Sequence, residues 1–202
     1  KNILVVEKPL IIKKNINKFL RSFSKKNFFI SLPWFFEGSI KKIINNFIDK
    51  NGVTRIKFIW FDNNQKKYGL SKNYEKNIFY SEDIFPHIFS ILYNNKFSST
   101  NLEFSSFNIK NKIEFLSFDY NKIKIEIQCS NKINKNIRKI ILDRKKKTIG
   151  KIKISDKYFY VNDNIKNTNT KFHKKLNTLT RQYKYLLNQK NIKEFKNLCY
   201  YQ

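Results

Sequence analysis

Residues 38–61 read GSIKKIINNFIDKNGVTRIKFIWF, and the period of this stretch changes in the middle. Ile40, Ile43, Ile44, Phe47 and Ile48 recur at helical spacing, so one helix gathers them into an apolar stripe while Lys41, Lys42, Asn45 and Asn46 face elsewhere. Asn51-Gly52 follows the last apolar position and supplies residues that tolerate positive φ, which predicts the helix stop. From Val53 the period is two. Ile56, Phe58 and Trp60 fall on one face and Arg55, Lys57 and Ile59 on the other. A basic amphipathic helix running directly into a strand is a scaffold unit.

Outward from this unit, the sequence alternates less clearly towards its start. Residues 3–6 predict a short apolar strand that ends at Glu7-Lys8-Pro9, and Ile12, Ile16, Phe19, Leu20 and Phe23 recur at helical spacing. Residues 28–32 read as a buried strand stopped by Pro33, and Glu37 precedes the central helix, where a negative charge favours the positive helix start. In the other direction, residues 62–67 are a polar loop. Ser81, Glu82 and Asp83 are helix-entry chemistry for a stripe of Ile84, Ile88, Ile91 and Leu92, which requires Pro86 to lie in the first turn. Residues 101–161 are mostly β, with strands expected over 102–107, 113–118, 123–129, 137–142, 148–154 and 158–161 between Asn, Asp, Ser and Lys clusters. Ile123, Ile125 and Ile127 alternate with Lys124, Glu126 and Gln128, the mark of a sheet with one wet face. Residues 162–170 are polar enough for a linker, and Leu176, Leu179, Tyr183, Leu186 and Leu187 form a helical stripe beyond it.

The chain has 202 residues, enough to bury a core, and 41% of them are hydrophobic, including 20 Phe and 11 Tyr, which excludes intrinsic disorder. The net charge is +27, which points to a polyanion such as RNA or DNA. Part of that charge has another source. The chain has no Ala and only five Arg among 42 basic residues, the bias that an A/T-rich coding sequence imposes. Codon drift leaves the scarcity of acidic residues, 15 in all, unexplained. Cys129 and Cys199 are too few and too far apart for a disulfide framework or a zinc site and read as reduced thiols. No apolar run reaches the roughly 18 residues of a membrane span, so no membrane partner is expected. No signal- or transit-peptide pattern opens the sequence, so an organellar product would be made inside its organelle.

Candidate chemistry is sparse. Gly38, Gly52, Gly69 and Gly150 stand singly and write no phosphate-cradling loop, and carboxylates are too scattered for a two-metal site; no cofactor and no metal are expected. Metal-independent RNA cleavage needs a general base, a general acid and a cation on the phosphate; Glu7, His173 and Arg181 could supply them, though no spacing selects them. His87 reads as a partly buried helix residue. Arg144-Lys145-Lys146-Lys147 lies between two expected strands, as a phosphate contact or a solvated turn.

Three segments resemble, in order, the universal small-subunit ribosomal protein S-three family in its organellar form. The helix from Ile40-Lys41-Lys42-Ile43 running into Gly52-Val53-Thr54-Arg55-Ile56-Lys57-Phe58 resembles the family's basic helix followed by a strand of the form Gly-Val-Ser/Thr-Arg-Ile-x-Ile. Ile125-Glu126-Ile127-Gln128-Cys129-Ser130, followed by Asn131-Lys132-Ile133-Asn134-Lys135, resembles the second-domain strand and its Gly-Arg-Leu-Asn-Gly turn, with the glycines replaced. Ile149-Gly150-Lys151-Ile152-Lys153-Ile154 is similar to the closing strand. The resemblance covers residues 38–61 and 123–154, and the Gly-x-x-Gly loop with which a KH domain clamps a nucleic-acid backbone is absent.

The resemblance implies an α+β chain: a degenerate KH-like helix-sheet domain over 38–100, a second, mostly β domain over 101–161, and basic extensions over 1–37 and 162–202, the latter a helical tail. It implies a non-enzymatic constituent of the small ribosomal subunit, in the head near the messenger entry side. The partners would be ribosomal RNA, neighbouring ribosomal proteins and messenger RNA, and the site an organellar, mitochondrial-type ribosome. The RNA contacts it implies are Lys41, Lys42, Arg55, Lys57, Lys132, Lys135, Arg138, Arg144, Lys145 and Lys146, with counterion release supplying most of the affinity. Three rivals stand beside it. One is an α-like assembly subunit of a bacterial-type RNA polymerase, whose paired-basic helix also precedes a Val-Thr strand. The others are an unrelated structural RNA-binding protein and a small basic ribonuclease using Glu7 and His173.

Overall fold

The computed structural model describes residues 4–6, 28–30, 38–63, 79–92, 102–155 and 158–173. In chain order these form β1 (Leu4–Val6), β2 (Phe28–Ile30), α1 (Gly38–Asn51), β3 (Arg55–Phe61), α2 (Tyr80–Leu92), β4 (Leu102–Lys110), β5 (Ile113–Tyr120), β6 (Ile123–Ser130), β7 (Ile137–Arg144), β8 (Lys147–Ile154), β9 (Tyr158–Asp163) and β10 (Thr168–His173). Strands β1 and β2 pair in parallel. The other eight make one sheet in the order β10-β9-β8-β7-β3-β6-β5-β4.

The period change in residues 38–61 builds the centre of this sheet. Ile40, Ile44 and Phe47 are buried along α1, and Gly52, at φ 60°, takes the left-handed conformation that ends the helix. Along β3 the even residues Ile56, Phe58 and Trp60 are buried under the helices and the odd ones are half-exposed on the far face. The same alternation runs across the sheet: Ile125, Ile127 and Cys129 on β6, Ile140 and Leu142 on β7, Ile152 on β8, and Phe159 and Val161 on β9 complete one core. Gly150 marks where α1 comes closest. A Cβ there would sit 2.7 Å from two carbons of the Phe47 ring, so the small residue lets the helix lie on β8.

Strands β4-β5-β6 form one antiparallel ladder and β7-β8-β9-β10 another, and β3 lies between them, parallel to β6 and antiparallel to β7. Three of the hairpins turn on two residues with positive φ, Asn111-Lys112, Asn121-Lys122 and Lys145-Lys146, the geometry whose twist matches the flanking strands.

The helix-sheet unit is therefore not a KH-like domain followed by a separate β domain. Its strand is the middle of an eight-stranded mixed sheet whose other members all follow it in the chain. Three local differences have physical causes. Helix α2 starts at Tyr80, because the Glu114 carboxylate of β5 accepts the N–H groups of Tyr80 at 2.9 Å and Ser81 at 2.7 Å, a cap supplied from elsewhere in the fold. Pro86 lies inside α2, with the Ser90 hydroxyl donating to its carbonyl at 2.5 Å. Residues 162–170 are no linker but the β9–β10 hairpin, where Asp163 Oδ1 accepts the N–H groups of Ile165 and Lys166 and so makes the turn. The expected helices over residues 12–23 and 176–187, together with Glu7, Glu37 and Arg181, lie outside the described residues.

Candidate functional site

At the carboxyl end of β3 the covered face of the sheet turns polar. The register places Trp60 beside Arg138, the second residue of β7, and Asp62 follows two residues later. The Trp60 indole N–H donates to Asp62 Oδ2 at 3.1 Å, the Tyr80 hydroxyl donates to the same oxygen at 2.7 Å, and Arg138 forks onto both oxygens at 2.9–3.1 Å. The Arg138 guanidinium also lies 5.0 Å from the Trp60 ring centre, within cation–π range. Asn63 is buried next to this network, its N–H donating to Asn136 Oδ1 at 2.7 Å and its side-chain amide to Asn134 Oδ1.

Helix α2 adds the titratable groups. The His87 ring stacks on Trp60, with centroids 5.9 Å apart and planes 10° from parallel, so a buried indole fixes the plane of a half-buried imidazole. Asp83 is also half-buried, one turn earlier, and an i, i+4 spacing puts both on one face of the helix. A helix that pairs a carboxylate and an imidazole at this spacing, beside a fixed aromatic ring, can hold and move a proton.

The surrounding groups are unsuited to that task. Burial raises the Asp62 carboxyl, but the Arg138 charge and the hydrogen bonds from Tyr80, Trp60 and Arg138 outweigh it and hold the group below its ordinary value of 3.8. Asp62 is thus a saturated acceptor. Burial, then the charge of Asp62 and its hydrogen bond, push the Tyr80 phenol far up, so it stays a neutral donor. Burial, with Glu114 and Asp83, likewise raises the Cys129 thiol, which makes it unreactive. Among the described residues no group of His, Cys, Asp and Glu can hold a metal ion. Nor do the glycines fit a dinucleotide. Gly38 opens α1, Gly52 ends it and Gly150 admits the Phe47 ring, and with Gly69 they supply no Gly-x-Gly-x-x-Gly turn.

The basic residues named from the sequence do not converge. Lys41 and Lys42 are on α1, over the covered face; Arg55 and Lys57 are on β3 and face the opposite way. Lys132 and Lys135 are exposed in the turn after β6, while Arg144, Lys145 and Lys146 are exposed at the other end of the sheet, in the β7–β8 hairpin. The two best-placed arginines are held by carboxylates. Arg138 is bound to Asp62, and Arg55 gives Nε at 2.8 Å and Nη2 at 2.5 Å to Asp143 Oδ2, with Glu126 3.7 Å away. Of the ribonuclease pair, Glu7 is outside the described residues and only the backbone of His173 is described, at the end of the edge strand β10. Sequence reasoning placed His87 on a helix and Trp60 in the core but did not join them. The available signal was Asp83 and His87 four residues apart, one helical turn, beside the apolar stripe of Ile84, Ile88, Ile91 and Leu92.

No sequence-family model matches the chain, and no curated protein matches it. Its fold does match solved structures. A dehydrogenase from Clostridium difficile superposes with a TM-score of 0.59 at 10% identity, over 97% of this chain and 63% of that one. A UDP-N-acetylglucosamine 3-dehydrogenase from Acidithiobacillus ferrooxidans gives 0.58 at 7% identity, over 92% and 61%. A biliverdin reductase from Synechocystis, in complex with biliverdin and NADP+, gives 0.58 at 12% identity, over 92% and 62%. The chain thus spans less than two thirds of the length of the structures it resembles, and at these identities the likeness is one of fold.

The fold is thus one shared with solved dehydrogenases and a reductase, and it overturns the resemblance to the ribosomal S-three family. The ribosomal role, the polymerase-subunit alternative, and the ribosomal RNA, messenger RNA and ribosomal-protein partners fall with it, as does the expectation of a chain without chemistry. The residues that suggested the family have local reasons to be present. Gly52 ends α1, the Thr54 N–H donates to the Asp143 carbonyl at 2.9 Å, Arg55 binds the Asp143 carboxylate, and Gly150 receives Phe47.

Proposed function

We propose that the chain is the substrate-holding part of an oxidoreductase, in which His87 gives or takes the proton of a hydroxyl- or carbonyl-bearing substrate and Asp83 supports its charge. The observation that carries the reading is the imidazole of α2 held flat against Trp60 with a carboxylate one turn away, in a fold shared with dehydrogenases. Asp62, Tyr80 and Arg138 act on it indirectly, by fixing the indole that positions the imidazole. The absence of alanine and the excess of lysine support, within this proposal, expression from an A/T-rich organellar genome.

These residues supply no dinucleotide cradle, and the chemistry they offer a substrate is transfer of the proton alone. The test is a titration of the full chain with nucleotide sugars, free sugars and short 2-hydroxy acids, read by tryptophan emission, since Trp60 is one of only two tryptophans. Saturable binding to one class is expected, weakened about tenfold or more in His87→Asn at unchanged Tm. Emission that is flat across the panel, or binding indifferent to His87→Asn, overturns the proposal.

A further inference from the structure

Strand β4 is the last strand of the sheet, and only β5 pairs with it among the described residues. Eight of its nine residues are exposed, and the exposed ones include Phe104 at 62%, Phe107 at 39% and Ile109 at 51%. A long edge strand with an apolar row is a template for another strand, and chains that avoid such pairing shorten the edge or guard it with charges and proline. Here the strand is nine residues long and has no proline, and its only charges are Glu103 and Lys110, one near each end.

The arrangement of side chains selects the partner. A bulge at Ser105 resets the alternation, so that Leu102, Phe104, Phe107 and Ile109 lie across from Tyr120, Phe118, Leu116 and Glu114 on the helix-covered face. Glu103, Ser106, Asn108 and Lys110 lie across from Asp119, Ser117, Phe115 and Ile113 on the other face. Once the bulge is allowed for, the strand is complementary to itself about Phe107. An antiparallel copy sets Phe107 beside Phe107, Ser106 beside Asn108, Phe104 beside Ile109 on the apolar face, and Glu103 beside Lys110 on the polar face. The charges agree with this register. Glu103 stands across from Asp119, which Lys124 flanks on its other side, and a lysine from outside gives Glu103 the opposite charge that Lys124 gives Asp119.

We propose that β4 is the interface of a twofold homodimer, pairing antiparallel with β4 of a second copy in the register Phe107 to Phe107 and Glu103 to Lys110. Both sheets then join into one continuous sheet, and the interface is isologous, so it closes at two copies. The chain charge of +27 opposes the approach of two copies, and salt, which screens it beyond about 8 Å at physiological strength, favours the dimer until the Glu103–Lys110 pairs are themselves screened.

Sedimentation velocity on the full chain over a concentration and salt series tests this. The wild type is expected to pass from monomer to dimer with concentration. Glu103→Lys sets two lysines against each other at both ends and weakens association by about tenfold or more, as does Lys110→Glu with two carboxylates, and the double exchange Glu103→Lys/Lys110→Glu restores it. Both substitutions are at exposed edge positions, and Tm measured for each of the three variants confirms the fold. A wild type that stays monomeric at every concentration, assembly that continues past the dimer, or a double exchange no better than the singles overturns the proposal. None of these readouts depends on the oxidoreductase reading.

Discussion

Each end of β3 carries an arginine–carboxylate pair, and the two pairs are built differently. At the amino end, on the open face, Arg55 is 40% exposed and spends two N–H groups on one oxygen of Asp143; the other oxygen, Oδ1, is buried with no partner among the described residues. At the carboxyl end, under α2, Asp62 has both oxygens filled, by Arg138, Tyr80 and Trp60, and its side chain is 13% exposed. The first pair joins β3 to β7, with the half-buried Glu126 of β6 3.7 Å from Arg55, and borders no titratable group of α2. The second joins β3, β7 and α2, and sets the indole on which His87 rests. A pair that is half-satisfied and half-wet is a fastener; one that is fully satisfied and borders a titratable group is a support for chemistry.

Removing Asp62 should therefore have the largest effect. Asp62→Ala leaves the Arg138 charge, a buried phenol and a buried indole N–H without their acceptor, and is expected to cost about 3–5 kcal/mol, read as the urea midpoint. It should also shift tryptophan emission, because the indole loses its anchor. Asp143→Ala should cost less, about 1–3 kcal/mol, since Arg55 can turn to water and an unpartnered buried oxygen leaves with the carboxylate. An Asp143 variant as damaging as the Asp62 variant would break the distinction.

The pH dependence sharpens it. The Asp62 carboxyl titrates lower in the folded chain than its ordinary 3.8, so its contribution is present above about 4 and is lost as the pH falls through the lowered value. Thermal unfolding should show a loss of stability below about pH 4 that is reduced in Asp62→Asn. Smallest of all should be Glu126→Gln. This residue stands 3.7 Å from Arg55 and 3.8 Å from the 51%-exposed Lys124, and its loss should change stability by no more than about 0.5 kcal/mol. A larger effect would mean that the open-face pair is a network rather than a fastener.

Local order was legible wherever one face is dry and the other wet. Helix α1, strand β3 and the strands β5 to β9 follow from that alternation, with Ile125 and Ile127 against Lys124 and Glu126 as its clearest case. Strand β10 escaped it because none of the described side chains in TNTKFH is buried, so no alternation exists to read. The start of α2 escaped it because its cap, Glu114, stands 34 residues downstream, and the pairing of β3 with β6 and β7 because register over such spans is a tertiary fact. The site was hidden for the same reason. Trp60 obeys the core period and His87 a helix, and only the fold brings them together. The family resemblance failed through residues with structural duties. Gly52, Arg55 and Gly150 are there for a helix end, a carboxylate on β7 and a phenylalanine ring.

The place of β3 between two ladders also decides how the chain reaches this state. Each ladder is a run of hairpins between neighbours in sequence, and hairpins of this kind form in about 1–10 μs. Strand β3 is made before either, yet residues 55–61 must pair with 124–130 on one side and 137–143 on the other. Those contacts close long loops, whose entropy is spent before the pairing is gained. On this entropy argument β3 inserts after the hairpins, and until it does the inner edges of β6 and β7 stand open and the residues at its carboxyl end are apart from their partners.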